Sequence, residues 1–388
     1  MMKKMNIAIV CVSVNLQNAG SLVSTWRFAT NLAKRGHQVL LISTGKVNSV
    51  EVVEGVKVIR FKAWPTLGTE GTFRMLLFAS CKKIKKIFVE ENVEIVHFML
   101  PTPLCFSASK AAKELNLPLI GHSHTQPENM LIPIKLNNQF LNRLFYRYLI
   151  WFYSRANVIV CPTKFAQQKM IEHGLKIKTT VISNGVELDK FKPAAVPEKF
   201  YKDFAMEKKD KHILFVGRIW PEKNIPTLIK ALPLILEKIP KAHLDIVGKK
   251  ENHYSSLKRL VKKLGLEEKV TFLGKVSPED LNNAYNACTV FCLPSYVELE
   301  GMVVLEAMAC GKPIIVSNSP QSASQFYVNG NGYVFKADDP KDLAEKIVRV
   351  LSDESLQKKM TSKSLNIVKG LTMEKSIRKL EELYAQWI

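Results

Sequence analysis

Short runs of β-branched and aliphatic residues alternate with helical patterns along nearly all of this chain, and the alternation occurs in two series. "NIAIVCVSV", "HQVLLIST", "VEIVHFML", "LPLIGHS", "ANVIVCPT" and "TTVISNG" form the first, and "HILFVGR", "AHLDIVG", "KVTFLG", "CTVFCLP" and "PIIVSN" the second. Strands that are apolar throughout, rather than at every second residue, are buried on both faces, which is the mark of a parallel sheet covered by helices. Between the series, "FKPAAVPEKFYKDFAMEKKD" loses its period and gathers Pro, Lys and Glu. The pattern predicts an α/β chain of two Rossmann-like doubly wound domains facing across a cleft. The first covers 1–190, a linker 191–210 and the second 211–370, with an amphipathic helix over 371–388 packing back towards the first. In open α/β sheets ligands sit beyond the carboxyl ends of the strands, so motifs directly after strands carry most weight.

With 388 residues and 47% hydrophobic content the chain supports two or three domain cores. Lys and Arg outnumber Asp and Glu by 56 to 35, a formal charge of +21 that attracts polyanions without saying which. No nucleic-acid recognition motif accompanies the charge, and no nucleic-acid partner is expected. Seven scattered cysteines, with no second pair at metal-ligand spacing beside Cys288 and Cys292, read as reduced thiols in a cytosol. The opening "MMKKMNIAIVCVSVNLQNAG" has the lysines and apolar run of a signal peptide but no small-residue cleavage site, so a buried first strand explains it better. Arg143, Arg147 and Arg155 interrupt the most apolar stretch, so no membrane-spanning helix is expected.

Four motifs follow strands. Gly20, where the first loop becomes a helix, lets backbone N–H groups and the positive helix end approach a phosphate, although a plain turn glycine explains it equally well. "FVGRIWPEKN" sets Arg218 and Lys223 five apart across a proline, a rigid turn suited to gripping a diphosphate; the competing reading is a solvated pair on a basic surface. "ELEGMVVLEAMA" opens a helix at Gly301, with the N–H groups of Met302 and Val303 as unpaired donors for an anion and Glu298 and Glu306 as acceptors for sugar hydroxyls on either side. Glu306 lies within "VVLEAMAC", where a solvated face is hard to arrange. "IGHSHTQPEN" supplies His122, His124 and Glu128. If the strand geometry continued, the two histidines would point to opposite faces, so one is expected near substrate and one packed, and no metal is expected.

Together these residues resemble the retaining glycosyltransferases of the GT-B fold that carry a Glu-x7-Glu motif, and the likeness runs nearly the full length. It rests on "ELEGMVVLEAMACGKPIIVSN", "VGRIWPEKN", "ISNGVELDKFKP" and "GHSHTQPEN", in the family's order. The resemblance implies that Arg218 and Lys223 bind the donor diphosphate, Glu298 the transferred hexose and Glu306 the nucleotide ribose. It further implies that His124 lies near sugar and acceptor, and that Gly20 belongs to a loop facing the donor. The implied donor is a nucleotide sugar, UDP-glucose foremost, with no obligatory cofactor; the acceptor is a lipid or sugar hydroxyl. Where many members have Glu-Gly-Phe-Gly this chain has Glu298, Leu299, Glu300 and Gly301, and "NSPQSASQF" replaces a Gly-Gly pair and an acid. Both departures are similar to the branch that glycosylates membrane lipids, such as diacylglycerol glucosyltransferases and phosphatidylinositol mannosyltransferases.

The segment 74–90 agrees with a lipid acceptor, because Lys82, Lys83, Lys85 and Lys86 alternate with Leu76, Leu77, Phe78, Ile84, Ile87 and Phe88. A basic amphipathic helix of this kind lies on anionic lipid. The expected location is therefore cytoplasmic, peripheral on the inner face of the cell membrane. "FLNRLFYRYLIWFYSR" has similar letters and reads as an ordinary core-facing helix. Three rivals stay open on residues alone: a nucleotide-dependent oxidoreductase, which lacks its G-x-G-x-x-G fingerprint here, a nucleic-acid binder, which only the charge suggests, and a silent sugar-nucleotide-binding partner.

Overall fold

A computed structural model of the chain describes residues 3–13, 20–66, 74–76, 79–250 and 253–388. The chain forms two compact units. One comprises Met1–Pro127, Gln139–Asn184 and Ser376–Ile388, the other Glu128–Asn138 and Gly185–Lys375.

In chain order the strands of the first unit are β1 (Asn6–Val10), β2 (Gln38–Gly45), β3 (Ser49–Val53), β4 (Val56–Lys62), β5 (Trp64–Pro65), β6 (Arg74–Met75), β7 (Ile95–Phe98), β8 (Leu119–His122), β9 (Val158–Cys161) and β10 (Lys178–Val181). Among the described residues β5 and β6 pair with each other alone. The other eight form one sheet in the order β10-β9-β8-β7-β1-β2-β4-β3, parallel except for β3 on β4. Ile7 to Val10, Ile95 to Phe98 and Val158 to Cys161 are buried at every position, as helices on both faces require. β3 and β4 are missing from the strands read in the sequence. Their two-residue turn, Glu54 and Gly55, has positive φ at both positions (48° and 79°), the geometry that lets a tight hairpin follow the twist of its strands.

The second unit contains β11 (Lys211–Val216), β12 (Ala242–Val247), β13 (Val270–Gly274), β14 (Val290–Leu293), β15 (Val297–Glu298), β16 (Ile314–Ser317), β17 (Gln321–Ser322) and β18 (Gly332–Phe335). Six of them make a parallel sheet in the order β13-β12-β11-β14-β16-β18, and β15 pairs with β17 beside it. Both units are doubly wound α/β folds, in agreement with the alternation in the sequence. Residues 191–210, read as a linker, lie within the second unit: Glu198–Asp203 forms a helix, and Phe191, Phe200, Tyr201 and Met206 are buried in that unit's core. The Pro and Lys between them hide their spacing.

The helix Met373–Ala385 runs from the second unit into the first. Its Glu381 is buried and accepts from Arg35 Nε at 2.6 Å, with His37 Nε2 at 3.0 Å, while Tyr384 places its hydroxyl 2.6 Å from His97 Nδ1.

Candidate functional site

The order of the second sheet reverses between β11 and β14: the chain winds outward through β12 and β13, then returns to the other side of β11. A crevice outside the carboxyl ends of such strands is where doubly wound sheets bind ligands. Both loops that leave this point carry residues singled out in the sequence. After β11, Pro221–Lys223 forms a single 3-10 turn that ends on Asn224 in the left-handed region (φ 50°). Arg218 Nη2 reaches the fully buried Glu222 at 3.0 Å, and the guanidinium carbon lies 4.8 Å from the centre of the Trp220 ring. After β14, the backbone N–H of Tyr296 donates to the carbonyl of Glu222 at 2.8 Å, which ties the two loops together.

Lys223 and Glu298 meet across this junction. Lys223 Nζ donates to Glu298 Oε1 at 2.6 Å, and each side chain keeps only 13% of its surface in water. Glu298 is held there because its two-residue strand β15 pairs in parallel with β17, Glu298 against Ser322. A cation and a carboxylate at this depth interact far more strongly than an exposed pair, since little water screens them. Both sequence-predicted cations are therefore matched by carboxylates within their own unit. Asn224 Nδ2 and the Tyr296 hydroxyl both donate to Asp338 Oδ1, the first at 3.2 Å, which fixes the far side of the turn.

Gly301 precedes the helix Met302–Ala309 with φ 81°, and a Cβ there would stand 2.6 Å from Ser324 Oγ. Conformation and space both call for glycine. Met302 and Val303, in the first helical turn, are partly exposed. Glu306, one turn further in, is 5% exposed and accepts a 3.0 Å hydrogen bond from the Tyr285 hydroxyl. Burial, and then the charge of Glu306, push the Tyr285 phenol well above its usual range, so it stays a donor. The two glutamates thus serve different neighbours, Glu298 a lysine and Glu306 a tyrosine. Glu222, Tyr285, Tyr296, Ser324 and Asp338 were not singled out in the sequence; Glu222, four residues after Arg218 in the quoted turn, and Ser324, within "NSPQSASQF", lay in stretches already marked there.

In the first unit β8 ends at His122, and the Ser123 N–H still donates to the Val160 carbonyl at 2.8 Å, so the chain stays extended there. Residues two apart in an extended chain share a face, and the rings of His122 and His124 stack at 4.0 Å, nearly parallel. The opposite-face expectation fails for that reason. His97 on β7 continues the column 5.4 Å from His122, which is fully buried, while His124 is partly exposed. Burial lowers all three imidazoles: His97 and His124 to about 3, and His122 well below its ordinary value. They are neutral near pH 7. His124 Nε2 lies 3.4 Å from Ser24 Oγ, on the helix Gly20–Lys34 that Gly20 begins. A Cβ on Gly20 would meet nothing within 4 Å, so no crowding demands glycine there. The loop before it, 14–19, lies outside the described residues. Glu128 is buried and belongs to the second unit.

The lysine-rich segment 74–90 differs from its expectation. Ser80 caps the helix Cys81–Glu90, whose apolar residues Ile84, Ile87 and Phe88 are buried and so face the protein; of its apolar side chains Val89 is exposed. Lys85 pairs with Glu114 at 3.1 Å and Lys86 with Glu90 at 3.5 Å. Leu77 and Phe78 lie outside the described residues. No helix among the described residues is long and apolar enough to cross a membrane.

Two doubly wound units, one with paired cations and carboxylates at its switch point, define the GT-B class of sugar-transferring enzymes. Residues 197–366 match the family "Glycosyl transferases group 1" and residues 19–190 "Glycosyltransferase Family 4". The chain belongs to the group 1 glycosyltransferases, which move a sugar from a nucleotide-sugar donor. It is 25% identical over 309 residues to the alpha-monoglucosyldiacylglycerol synthase of Streptococcus pneumoniae, covering 78% of this chain and 69% of that one. Among solved structures, sucrose-phosphate synthase from Thermosynechococcus elongatus matches with a TM-score of 0.82 at 20% identity over 99% of both chains. Anabaena HepE in complex with UDP-glucose matches with a TM-score of 0.77 at 20% identity, over 98% of this chain and 100% of that one.

Proposed function

We propose that this chain is a retaining hexosyltransferase that moves glucose from UDP-glucose to the hydroxyl of a membrane lipid of the diacylglycerol class, working peripherally at the inner face of the cell membrane. The observation that carries the donor site is the Lys223–Glu298 pair at the β11/β14 switch point, 2.6 Å long and mostly withdrawn from water. Lys223 and Arg218 bind the diphosphate, and the N–H groups of Met302 and Val303, which the left-handed turn at Gly301 exposes, face the same anion. Glu298 exchanges part of its contact with Lys223 for the hexose hydroxyls. Glu306, oriented by Tyr285, receives the ribose. The family resemblance supports assigning His124, neutral and 3.4 Å from Ser24, to the hexose and Gly20 to the donor loop.

Charge that develops on the leaving diphosphate meets two cations and a helix end, which is electrostatic stabilisation of the departing group. The bond from the anomeric carbon to the phosphate oxygen breaks and a bond to the acceptor oxygen forms on the same face. The acceptor's proton passes to the leaving diphosphate. No carboxylate is assigned as a covalent nucleophile, because Glu298 and Glu306 are both engaged in binding. Similarity to a diacylglycerol-glycosylating enzyme supports the acceptor class, and a relative with bound UDP-glucose supports the donor.

The test is incubation of the protein with radiolabelled UDP-glucose and diacylglycerol in detergent micelles. Labelled α-glucosyl lipid is expected. Release of UDP with no labelled lipid, or a β-linked product, would overturn the acceptor or the stereochemistry respectively.

A further inference from the structure

The helix Gln139–Tyr153 divides into two unlike faces. Tyr146, Leu149, Phe152 and Tyr153 are buried against the first unit. At 3.6 residues per turn the opposite side carries Phe140, Leu144, Arg147 and Trp151 in one stripe, spaced i, i+4, i+7 and i+11, with Arg143 beside it. Phe140 is 75% exposed, Leu144 53% and Trp151 50%. A soluble surface rarely presents so contiguous an apolar stripe unless something covers it. The sequence reading of this segment as core-facing holds for one side only.

Charge selects the occupant. No acidic residue occurs between Glu128 and Glu172, while Arg143, Arg147 and Arg155 accompany the stripe. Arg155 sits 3.6 Å over the Trp151 ring, and Phe106 stacks on the same indole at 5.8 Å, so the tryptophan is held in place before any partner arrives. An amphipathic stripe with an ordered tryptophan, on a segment with no acidic residue and three arginines, matches an anionic lipid surface: rings and leucine enter the headgroup boundary while guanidinium groups stay at the phosphates. We infer that this face, and not the lysine helix Cys81–Glu90, docks the enzyme onto an anionic bilayer. The inference rests on the lipid acceptor proposed above, to which it adds the docking surface.

The whole chain is tested with vesicles of phosphatidylcholine alone and of phosphatidylcholine with phosphatidylglycerol. The parent should sediment with the anionic vesicles and come off as salt is raised. The double variant Phe140→Ser/Leu144→Ser should bind anionic vesicles at least about tenfold more weakly, because it removes most of the buried apolar area. Arg143→Gln/Arg147→Gln should lose the preference for phosphatidylglycerol by a similar factor. Brominated lipid should quench the fluorescence of the parent, and Trp151→Phe should abolish the quenching, a readout that does not depend on how the other variants fold. Variants that bind like the parent, or quenching that survives Trp151→Phe, would overturn the inference. So would a parent dimer without lipid that Phe140→Ser/Leu144→Ser dissolves, since the stripe would then face a second copy. Transfer to diacylglycerol in detergent separates the two claims. A parent active in micelles with variants unimpaired on vesicles refutes the docking face alone, and a parent that glycosylates no lipid in micelles refutes the acceptor.

Discussion

Lys223 and Glu298 neutralise each other, so any diphosphate that takes the lysine must compete with the glutamate. Lys223→Ala should weaken UDP binding by roughly tenfold or more, the loss of a charge-assisted contact. Glu298→Gln removes the competitor and should leave UDP affinity unchanged or raise it, while turnover collapses because the hexose loses its acceptor. Calorimetry with UDP beside a turnover assay separates the two effects, and parallel losses of affinity would refute the division of labour. Glu306 allows a second test, this time of stability. Glu306→Ala strands the buried Tyr285 hydroxyl and should cost about 1–3 kcal/mol in urea unfolding, whereas Glu306→Gln keeps an acceptor oxygen and should cost less. Equal costs would mean that the tyrosine does not depend on that oxygen. The spacing of Glu298 and Glu306 was legible in the sequence because it falls within one short stretch. Their partners were not, since Tyr285 comes from a preceding helix and the meeting of Lys223 with Glu298 depends on how two strand ends are brought side by side.

Elements rather than single residues decide where a motif points. Gly301 joins β15 to the helix Met302–Ala309 in a conformation that costs an L-residue roughly 1–2 kcal/mol, with Ser324 Oγ in the space a side chain would need. Gly301→Ala should therefore destabilise the second unit by at least that amount. Adding Ser324→Ala should recover only the part due to crowding. Thermal unfolding of both variants measures the split, and an unaltered Gly301→Ala protein would remove the requirement. Which segments form strands was largely readable because apolar runs alternate with helical patterns; their order in each sheet was not. The β3–β4 hairpin escaped because its outer strand, "SVEVV", is largely exposed and offers no continuous apolar run. The two basic amphipathic segments show the same limit: both read as basic and apolar, and only packing reveals that Cys81–Glu90 turns its apolar side inward while Gln139–Tyr153 has apolar residues on both sides.

Across the whole molecule, buried histidines answer pH in opposite directions, and in the second unit His243, lowered by burial, opposes its neighbour His212. In the first, His97 and His122 are buried as neutral rings. The unfolded chain takes up their protons near pH 6.5, whereas the folded His97 resists until about 3. Their contribution is complete above about 6.5 and declines as pH falls towards 3, because the unfolded state then binds more protons. In the second unit burial pulls the His212 imidazole down, but the 2.7 Å contact to Asp245, its charge and the Glu207 carbonyl outweigh it and raise the net value. That contribution is full below about 6.5 and is lost as pH rises through the folded value. Hydrogen exchange between pH 8 and pH 5, corrected for intrinsic rates, should show protection around His97 and His122 falling while protection around His212 is kept or increased. A parallel decline around all three histidines would contradict this assignment. The closing helix has a different consequence, for biosynthesis. Glu381 seats between Arg35 and His37, and Tyr384 reaches His97, yet a ribosome makes the entire second unit before it makes either residue. The nascent first unit, though begun earliest, is therefore the later of the two to be completed, because the partners of His37 and His97 are the last to be made.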